Sequence, residues 1–567
     1  MSATQTSPPT IGSSSSPLKV HEVVAATLLG DGTSTVFGLM GDDVAPIAVD
    51  LVGLGATHVS ARHENQAVAM ADAYSSVSGR TGIAIVSGGP GFSNCLTALT
   101  TASRTGSRVL LVTSQSKASH KAFPTEKVCE ALNIRFVEPS TKEGVLDSVR
   151  RAQSLVSHGE TCVLQISSGL LHENASDVSE GQTSCDPTPI RAPIQPDPEQ
   201  IEQIVDLLEF GSSTMRPVIL AGAGAIKSGA IQDLVLLADS IGGVLATSLR
   251  ATCAFSEHPY NLGIAGTYST PAASGLFRRA ECVLAFGASL NKFTTYGGEL
   301  FGDARFVQVD TDRAALGQFV DVDDELKLHS DAKLAAIAIR TAVESRGLNN
   351  PGYRTEANAE AVRAAGQHEI PAGSAMHGPL DPRTLAAEID AMVPRNRSIV
   401  VDGGRHATHS IPIFSAPGPN RIIQMNGAGS IGLGIGAAVG ASIARPGAPV
   451  VAAVGDASFM MALTDLDTAV RHKCPIAIFV FNDEAWGAEV TYLESVQLDT
   501  QMAHIATPDI AAIARAHGAV GLKVDTYGDL DQVRPLIAKR MSGPLVVDCS
   551  IESNTPSASL DFLFGKH

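Results

Sequence analysis

The 567-residue chain carries 41 basic and 58 acidic side chains, a formal net charge of −17, with 44% hydrophobic and 17% charged residues and 53 glycines. That composition excludes disorder for most of the chain, and the length implies about three or four domains, each with its own core. The acid excess opposes a polyphosphate backbone as partner and no lysine-arginine stripe overrides it, so no nucleic acid is expected; an anionic ligand would need backbone amides, a helix N-terminus or a metal ion.

In chain order, residues 1–17 are Ser/Thr/Pro-rich and read as a disordered tail rather than a targeting signal. Residues 18–185 form the first segment, with apolar strand-like runs at 82–87, 108–113 and 162–167 separated by Ala-rich helical stretches. Five prolines between 187 and 198 break the chain, and the second segment, 200–346, carries runs at 217–221, 281–286 and 305–309. A second break runs from about 347 to 382 and contains a short Ala/Glu helical stretch. The third segment, 383–555, has runs at 398–401, 421–426, 449–454, 475–481 and 544–549, and 556–567 read as a C-terminal tail. Nearly continuous apolar strands alternating with helices imply an α/β fold of three doubly wound parallel-sheet domains, with ligands at the carboxyl ends of strands. The apolar stretch 427–444 is too short and too rich in glycine and alanine for a membrane span, and eight scattered cysteines without a C-x-x-C pair fit reduced thiols of a cytoplasmic protein.

The third segment concentrates the chemistry. Gly427-Ala-Gly429-Ser-Ile431-Gly432 formally matches G-x-G-x-x-G, with Asp456 at the end of the following strand. A dinucleotide site with Asp456 on a ribose is one reading, and close helix packing through glycine is the other. Gly455-Asp456-Ala457-Ser458 then opens a helical stretch, and the next strand ends in Asn482-Asp483, 27 residues after Asp456. Two oxygen-bearing side chains at the ends of neighbouring strands suit Mg²⁺ or Ca²⁺ completed by a diphosphate and water, whereas a helix cap and a turn would account for each motif alone. In the first segment, Arg62-His63-Glu64-Asn65 follows a short extended stretch and begins an Ala-rich helix. A first-turn glutamate also complements a helix dipole without any catalytic role. In the middle segment, Gly222-Ala-Gly224-Ala-Ile-Lys227 follows a strand, but Lys227 takes the place of the third glycine and the dinucleotide fingerprint fails.

The Gly-Asp-x-Ser start and Asn-Asp end at this spacing resemble the cofactor motif of thiamine diphosphate (ThDP) enzymes of the acetolactate synthase, pyruvate decarboxylase and benzaldehyde lyase superfamily. The resemblance extends over nearly the whole chain after residue 17. It implies a pyrimidine-binding domain at 18–185, a central domain at 200–346 and a diphosphate-binding domain at 383–555. Metal ligands would be Asp456, Asp483 and the Ala485 carbonyl, with Ala457 and Ser458 beside the cofactor; Asp483 departs from the commoner Asn. Asp402-Gly403-Gly404-Arg405-His406 resembles the diphosphate-contacting loop. Ile431 would prop thiazolium against pyrimidine and Gly429 would offer its carbonyl to the 4′-amino group, a packed core isoleucine being the other reading. Glu64 would share a proton with N1′ of the pyrimidine, favouring the imino tautomer that activates C2.

The resemblance also marks a substrate pocket. Gly88-Gly89-Pro90-Gly91-Phe92-Ser93-Asn94 is similar to the loop near the reacting centre, which makes Asn94 a pocket candidate. Asp42 and Asp43 follow a Phe-Gly-x-x-Gly loop as proton-transfer candidates or solvated turn acids. His120 and Phe123 lie at substrate-facing positions, but Pro124 replaces the usual Gln. Trp486, with Glu489 nearby, would wall the pocket or else be a core tryptophan. The family element at Val309-Asp310-Thr-Asp312 and Gly317 would hold ADP or FAD or merely build the domain, and no redox-active flavin is expected. The implied activity is C–C bond cleavage or formation next to the carbonyl of a small-molecule substrate, by 2-oxo acid decarboxylation or carboligation. The implied assembly is a homodimer at minimum, commonly a homotetramer, because the family places Glu64 and the diphosphate motif on different subunits. A 2-hydroxyacyl-CoA or benzaldehyde-type lyase, a NAD-linked oxidoreductase and a non-catalytic binding subunit are the alternatives.

Overall fold

The computed structural model describes residues 17–30, 32–115, 122–175, 192–210, 215–348, 350, 352–365, 378–539 and 541–565. Its apolar runs become three six-stranded sheets in which every strand pair is parallel. The first contains β1 (Thr35–Gly38), β2 (Thr57–Ser60), β3 (Gly82–Ser87), β4 (Val109–Gln115), β5 (Arg135–Val137) and β6 (Cys162–Ser167), ordered β2-β1-β3-β4-β6-β5. The second contains β7 (Pro217–Ala221), β8 (Val244–Thr247), β9 (Asn261–Ile264), β10 (Cys282–Phe286), β11 (Arg305–Asp310) and β12 (Lys327–His329), ordered β12-β11-β10-β7-β8-β9. The third contains β13 (Ser398–Val401), β14 (Ile422–Gln424), β15 (Val450–Gly455), β16 (Ile476–Asn482), β17 (Val520–Val524) and β18 (Leu545–Ser550), ordered β14-β13-β15-β16-β18-β17. The outer two sheets thus share one winding, and the middle sheet has another.

Sequence patterning found the long buried strands and not β1, β5, β8, β9, β12 and β17. These are three to five residues long, too short to show a period, and become strands by pairing with a longer neighbour. The middle sheet has the strand order of dinucleotide folds, with β7 and β10 adjacent at the switch point. There the Gly222 amide donates to Phe286 O over 2.9 Å and the Gly224 amide to Gly287 O over 3.1 Å. A Cβ on Gly222 would lie 2.0 Å from Gly287 O, so these glycines permit loop-on-loop backbone contact.

The outer domains share one hydrophobic core. The helix Glu64–Ser78 of the first packs on the helix Gly434–Ala444 of the third, and all but the first two residues and two serines of the former are buried. The approach is close enough to require glycine: a Cβ at Gly440 would stand 2.0 Å from Met70 O, and one at Gly436 2.4 Å from Gln66 Oε1. Gln66 clamps the crossing, donating to Gly432 O over 2.6 Å and accepting from the Gly436 amide over 3.0 Å. The Gly/Ala richness of 427–444 therefore serves helix packing. Among the described residues no helix is long and apolar enough to cross a membrane.

The C-terminal end corrects one expectation. Within 556–567 the helix Ala558–Leu563 docks on the middle domain, with Ser559 Oγ 2.9 Å from Thr267 Oγ1 and the Phe562 ring 4.9 Å from that of Tyr296. A helix of six residues with one apolar face gives too short a pattern to distinguish from a tail.

Candidate active site

Two groups of side chains gather at strand ends, one on each outer sheet. On the first sheet, Glu64 is the first residue of its helix and half-buried, and Asn94 donates to its Oε2 over 3.0 Å. Glu64 Oε1 lies 3.5 Å from where a Cβ on Gly91 would stand, so the carboxylate sits against the Gly-Pro-Gly loop. Asn94, expected to face substrate, thus orients the acid. Asp43 accepts from Ser87 Oγ over 2.7 Å and from the Gly88 amide over 2.8 Å. Both its oxygens tie the turn after β1 to the turn after β3, which makes it a clamp rather than a solvated turn acid, while Asp42 beside it is exposed. Phe123 is half-buried with its ring 5.7 Å from that of Phe92, and its backbone is held from both sides by the Gln115 amide. His120 lies outside the described residues.

On the third sheet, Asp402 follows β13 and organises the glycine loops around it. Its carboxylate accepts from the amides of Gly403 at 2.8 Å, Gly432 at 3.0 Å and Gly434 at 2.9 Å. Burial pushes this carboxyl up and those amides oppose the shift. The last amide of the G-x-G-x-x-G stretch and the Gly434 amide just beyond it are therefore spent on Asp402, and Gly427 packs within 2.8 Å (as a Cβ) of the Thr105 side chain. A pyrophosphate would find those donors occupied. Gly429 sits at φ +74° with open space around it, and half-buried Ile431 stands over Gly403, where a Cβ would be 3.2 Å from Ile431 Cγ2. Ile431 is therefore not a packed core residue.

Asp456, Asp483, Arg405 and Ser458 converge beside these loops, all with buried side chains. Burial pushes the Asp456 carboxyl up to about 6; the Thr507 hydroxyl, donating to Oδ2 over 2.7 Å, opposes this, and the Asp483 charge adds to it. Burial also raises Asp483, against the Arg405 guanidinium, which donates directly to its Oδ2. Buried Ala485 follows Glu484, held at φ +51°, and Ala457 is half-buried in the first turn after Asp456. Asn482 donates to Asp548 Oδ1 over 2.9 Å, anchoring the end of β16 to β18. A cavity of 730 Å³ opens alongside, lined by Asp483, Thr507, Asp509, Lys523 and Asp548 among others.

His406, the last residue of the loop that resembles the diphosphate-contacting one, is buried, with Nε2–H donating to Ala453 O over 3.2 Å and its ring 5.6 Å from that of Phe481. Burial pushes it down to about 4, so the imidazole is a neutral prop beneath Gly404 and Gly455. Trp486 is half-buried, its amide bonded to Ala503 O, in a small cluster with Ala485 and Val490 apart from the main cores, and Glu489 is exposed.

The two groups flank one helix crossing: Gln66, two residues past Glu64, donates to Gly432 O, and the Gly432 amide donates to Asp402. The Glu64 end of the helix Glu64–Ser78 meets Asp465 and Asp467, which Arg62 contacts at 2.9 and 2.7 Å. Asp465 lies nine residues past Asp456, roughly 13 Å along a helical path.

Family profiles match all three segments: "Thiamine pyrophosphate enzyme, N-terminal TPP binding domain" over 18–133, the central domain over 201–339, and the C-terminal TPP binding domain over 402–549. The chain is a thiamine pyrophosphate enzyme. It is 25% identical to a probable acetolactate synthase large subunit of Methanocaldococcus jannaschii, over 94% of this chain and 92% of that protein. It is likewise 25% identical to a sulfoacetaldehyde acetyltransferase of Castellaniella defragrans (90% and 88% covered) and 26% identical to an acetolactate synthase large subunit of Cyanidium caldarium (92% and 91%).

The donors present fit ThDP with its metal. No group of three or more His, Cys, Asp or Glu poised for a metal occurs among the described residues. Two carboxylates and a carbonyl are nonetheless a donor set suited to Mg²⁺, which keeps waters and takes phosphate oxygens rather than filling an all-protein cage. Sequence reasoning placed Asp402 in the diphosphate loop but not its role as acceptor for the glycine loops, and it missed Gln66 and Thr507. Asp402 opens the Asp402–His406 loop, and its place at a strand end was the signal available. Thr507 lies 51 residues beyond its partner Asp456, and no local signal joins the two.

Proposed function

We propose that the protein is a ThDP- and Mg²⁺-dependent enzyme that breaks or makes a C–C bond beside a carbonyl, decarboxylating a 2-oxo acid and passing the remainder to a proton or a second carbonyl. The Glu64–Asn94 pair against the Gly-Pro-Gly loop carries this reading, since a binding subunit has no use for an acid so oriented. Bound ThDP would supply a carbon centre able to add to carbonyls and stabilise the resulting carbanion. Asp456, Asp483 and Ala485 would hold Mg²⁺, Arg405 and the backbone at Gly403 and Gly404 would face the diphosphate, and Ile431 and Gly429 would set the angle between the rings. Glu64 would hold a proton at N1′, Asn94 would fix the acid's orientation, and Asp43 would hold the loop above it. Asp42, Phe123, Trp486 and Glu489 would border substrate.

In this reading the working unit is a homodimer whose sites combine both subunits, assembled as a homotetramer. The described cysteines are all unpaired and, apart from half-buried Cys253, buried, which supports a cytoplasmic location. In this scheme the middle domain is structural, or carries ADP or FAD without redox chemistry.

The test is a purified-protein assay with ThDP and Mg²⁺ against pyruvate, benzoylformate, benzoin, sulfoacetaldehyde and a 2-hydroxyacyl-CoA, following CO₂ and aldehyde separately. CO₂ release from a 2-oxo acid that needs both ThDP and Mg²⁺ is the expected result. Aldehyde or formyl-CoA without CO₂ would replace decarboxylation with a lyase reaction, and equal activity of Glu64→Gln and wild type would overturn the mechanism.

A further inference from the structure

We propose that Arg405 is the counter-cation of Asp483 and couples divalent-metal binding to diphosphate binding. The inference rests on the ThDP reading of this site and concerns how the chain's own charges regulate it.

The Arg405 guanidinium bonds Asp483 Oδ2, and the two side chains are 8% and 7% exposed. The backbone is cleared for the pair: a Cβ on Gly487 would stand 2.6 Å from Arg405 Nε and 2.8 Å from Asp483 Oδ2. Asp456, the other acid, has a hydroxyl partner in Thr507 and no ion pair among the described residues. The site thus holds two carboxylates and one guanidinium.

A divalent ion on Asp456 and Asp483 must share the second carboxylate with Arg405. Two cations on one buried carboxylate repel in a medium that screens poorly, so Arg405 weakens the site's hold on a bare metal. With the ion present the local charge is +1, from two carboxylates, a guanidinium and a divalent cation. A diphosphate supplies the anion that both cations then share, and its oxygens suit a guanidinium well. Metal and diphosphate therefore strengthen each other, by the same factor in either order. The negative charge that Asp483 brings is balanced inside the site.

The probes are MgCl₂ alone and MgCl₂ with inorganic diphosphate, titrated into the full-length protein by calorimetry. Emission from Trp486, the only tryptophan and three residues from Asp483, gives a second readout. Arg405→Gln should bind Mg²⁺ alone about tenfold more tightly than wild type, and the strengthening by diphosphate should shrink by a similar factor. Arg405→Lys, which keeps the charge, should stay near wild type. Unchanged or weaker Mg²⁺ binding in Arg405→Gln overturns the proposal. If that variant does not fold, wild type decides: equal Mg²⁺ affinity with and without diphosphate also overturns it. A wild type that binds Mg²⁺ and inorganic diphosphate cooperatively but not ThDP would uphold the coupling and reject the cofactor reading.

Discussion

Glu64 depends on a single described side-chain donor for its orientation, the Asn94 amide at 3.0 Å. A positioned acid is worth roughly 10²–10⁴-fold. Glu64→Gln should therefore lower kcat at least about a hundredfold at saturating ThDP, and Asn94→Ala, which leaves the acid in place but free to turn, about tenfold; steady-state kinetics measure both. Asp72 makes a stability prediction. It is buried in the helix Glu64–Ser78, and burial pushes it up to about 6, with the Ser107 and Ser76 hydroxyls and Arg250 opposing. An ordinary aspartate loses its proton near pH 4, so between about 4 and 6 the folded protein keeps a proton that the unfolded chain has released, and stability falls as pH rises through that window. Asp72→Asn should be more stable than wild type at pH 7.5, by on the order of 3 kcal/mol, with the gap closing towards pH 4 in urea titrations. Residue type and spacing pointed to Glu64, Asp456 and Asp483; they could not show that Asn94 serves the acid, that both Asp43 oxygens are spent on a turn, or that His406 faces inward, since each depends on a side-chain direction.

At the scale of elements, the crossing of Glu64–Ser78 and Gly434–Ala444 joins the outer domains. Gly440→Ala would drive a methyl to 2.0 Å from Met70 O, where backbone cannot give way cheaply. A loss of about 1–3 kcal/mol or more, seen as a lower urea midpoint, is expected. Gly275, within the helix Pro271–Phe277, has nothing within 4 Å of a Cβ, so Gly275→Ala should stabilise the fold by about 0.4–1 kcal/mol and raise the midpoint. The same substitution thus has opposite signs at two helical glycines. The glycine run at 427–444 left two readings, ligand loop or close packing, because both need the same small residue; Gly436 and Gly440 serve packing, while Gly429, open at φ +74°, does not.

For the whole molecule, the proposed sharing of each site between two subunits is testable. Mixing Glu64→Gln with Asp456→Asn chains and letting dimers re-form should recover about a quarter of wild-type activity, because about half the dimers are hybrids and each hybrid assembles one intact site. No recovery, with hybrids confirmed by mass spectrometry, would place both residues in one subunit's site. Deleting residues 557–565 should destabilise the middle domain, since Ser559 and Phe562 would leave Thr267 and Tyr296 uncovered; a lower urea midpoint would show it.

The amino-acid order by itself determined the three parallel sheets and the strand ends that carry the chemistry, because apolar runs and turn residues are local properties and parallel strands put their carboxyl ends on one edge. It also determined the family, through Glu64 and the Asp456–Asp483 spacing. Only the tertiary structure decided which donors those groups meet. Gln66 finds Gly432 across 366 residues and Arg405 finds Asp483 across 78, pairings set by how separate elements pack and not by any distance along the chain.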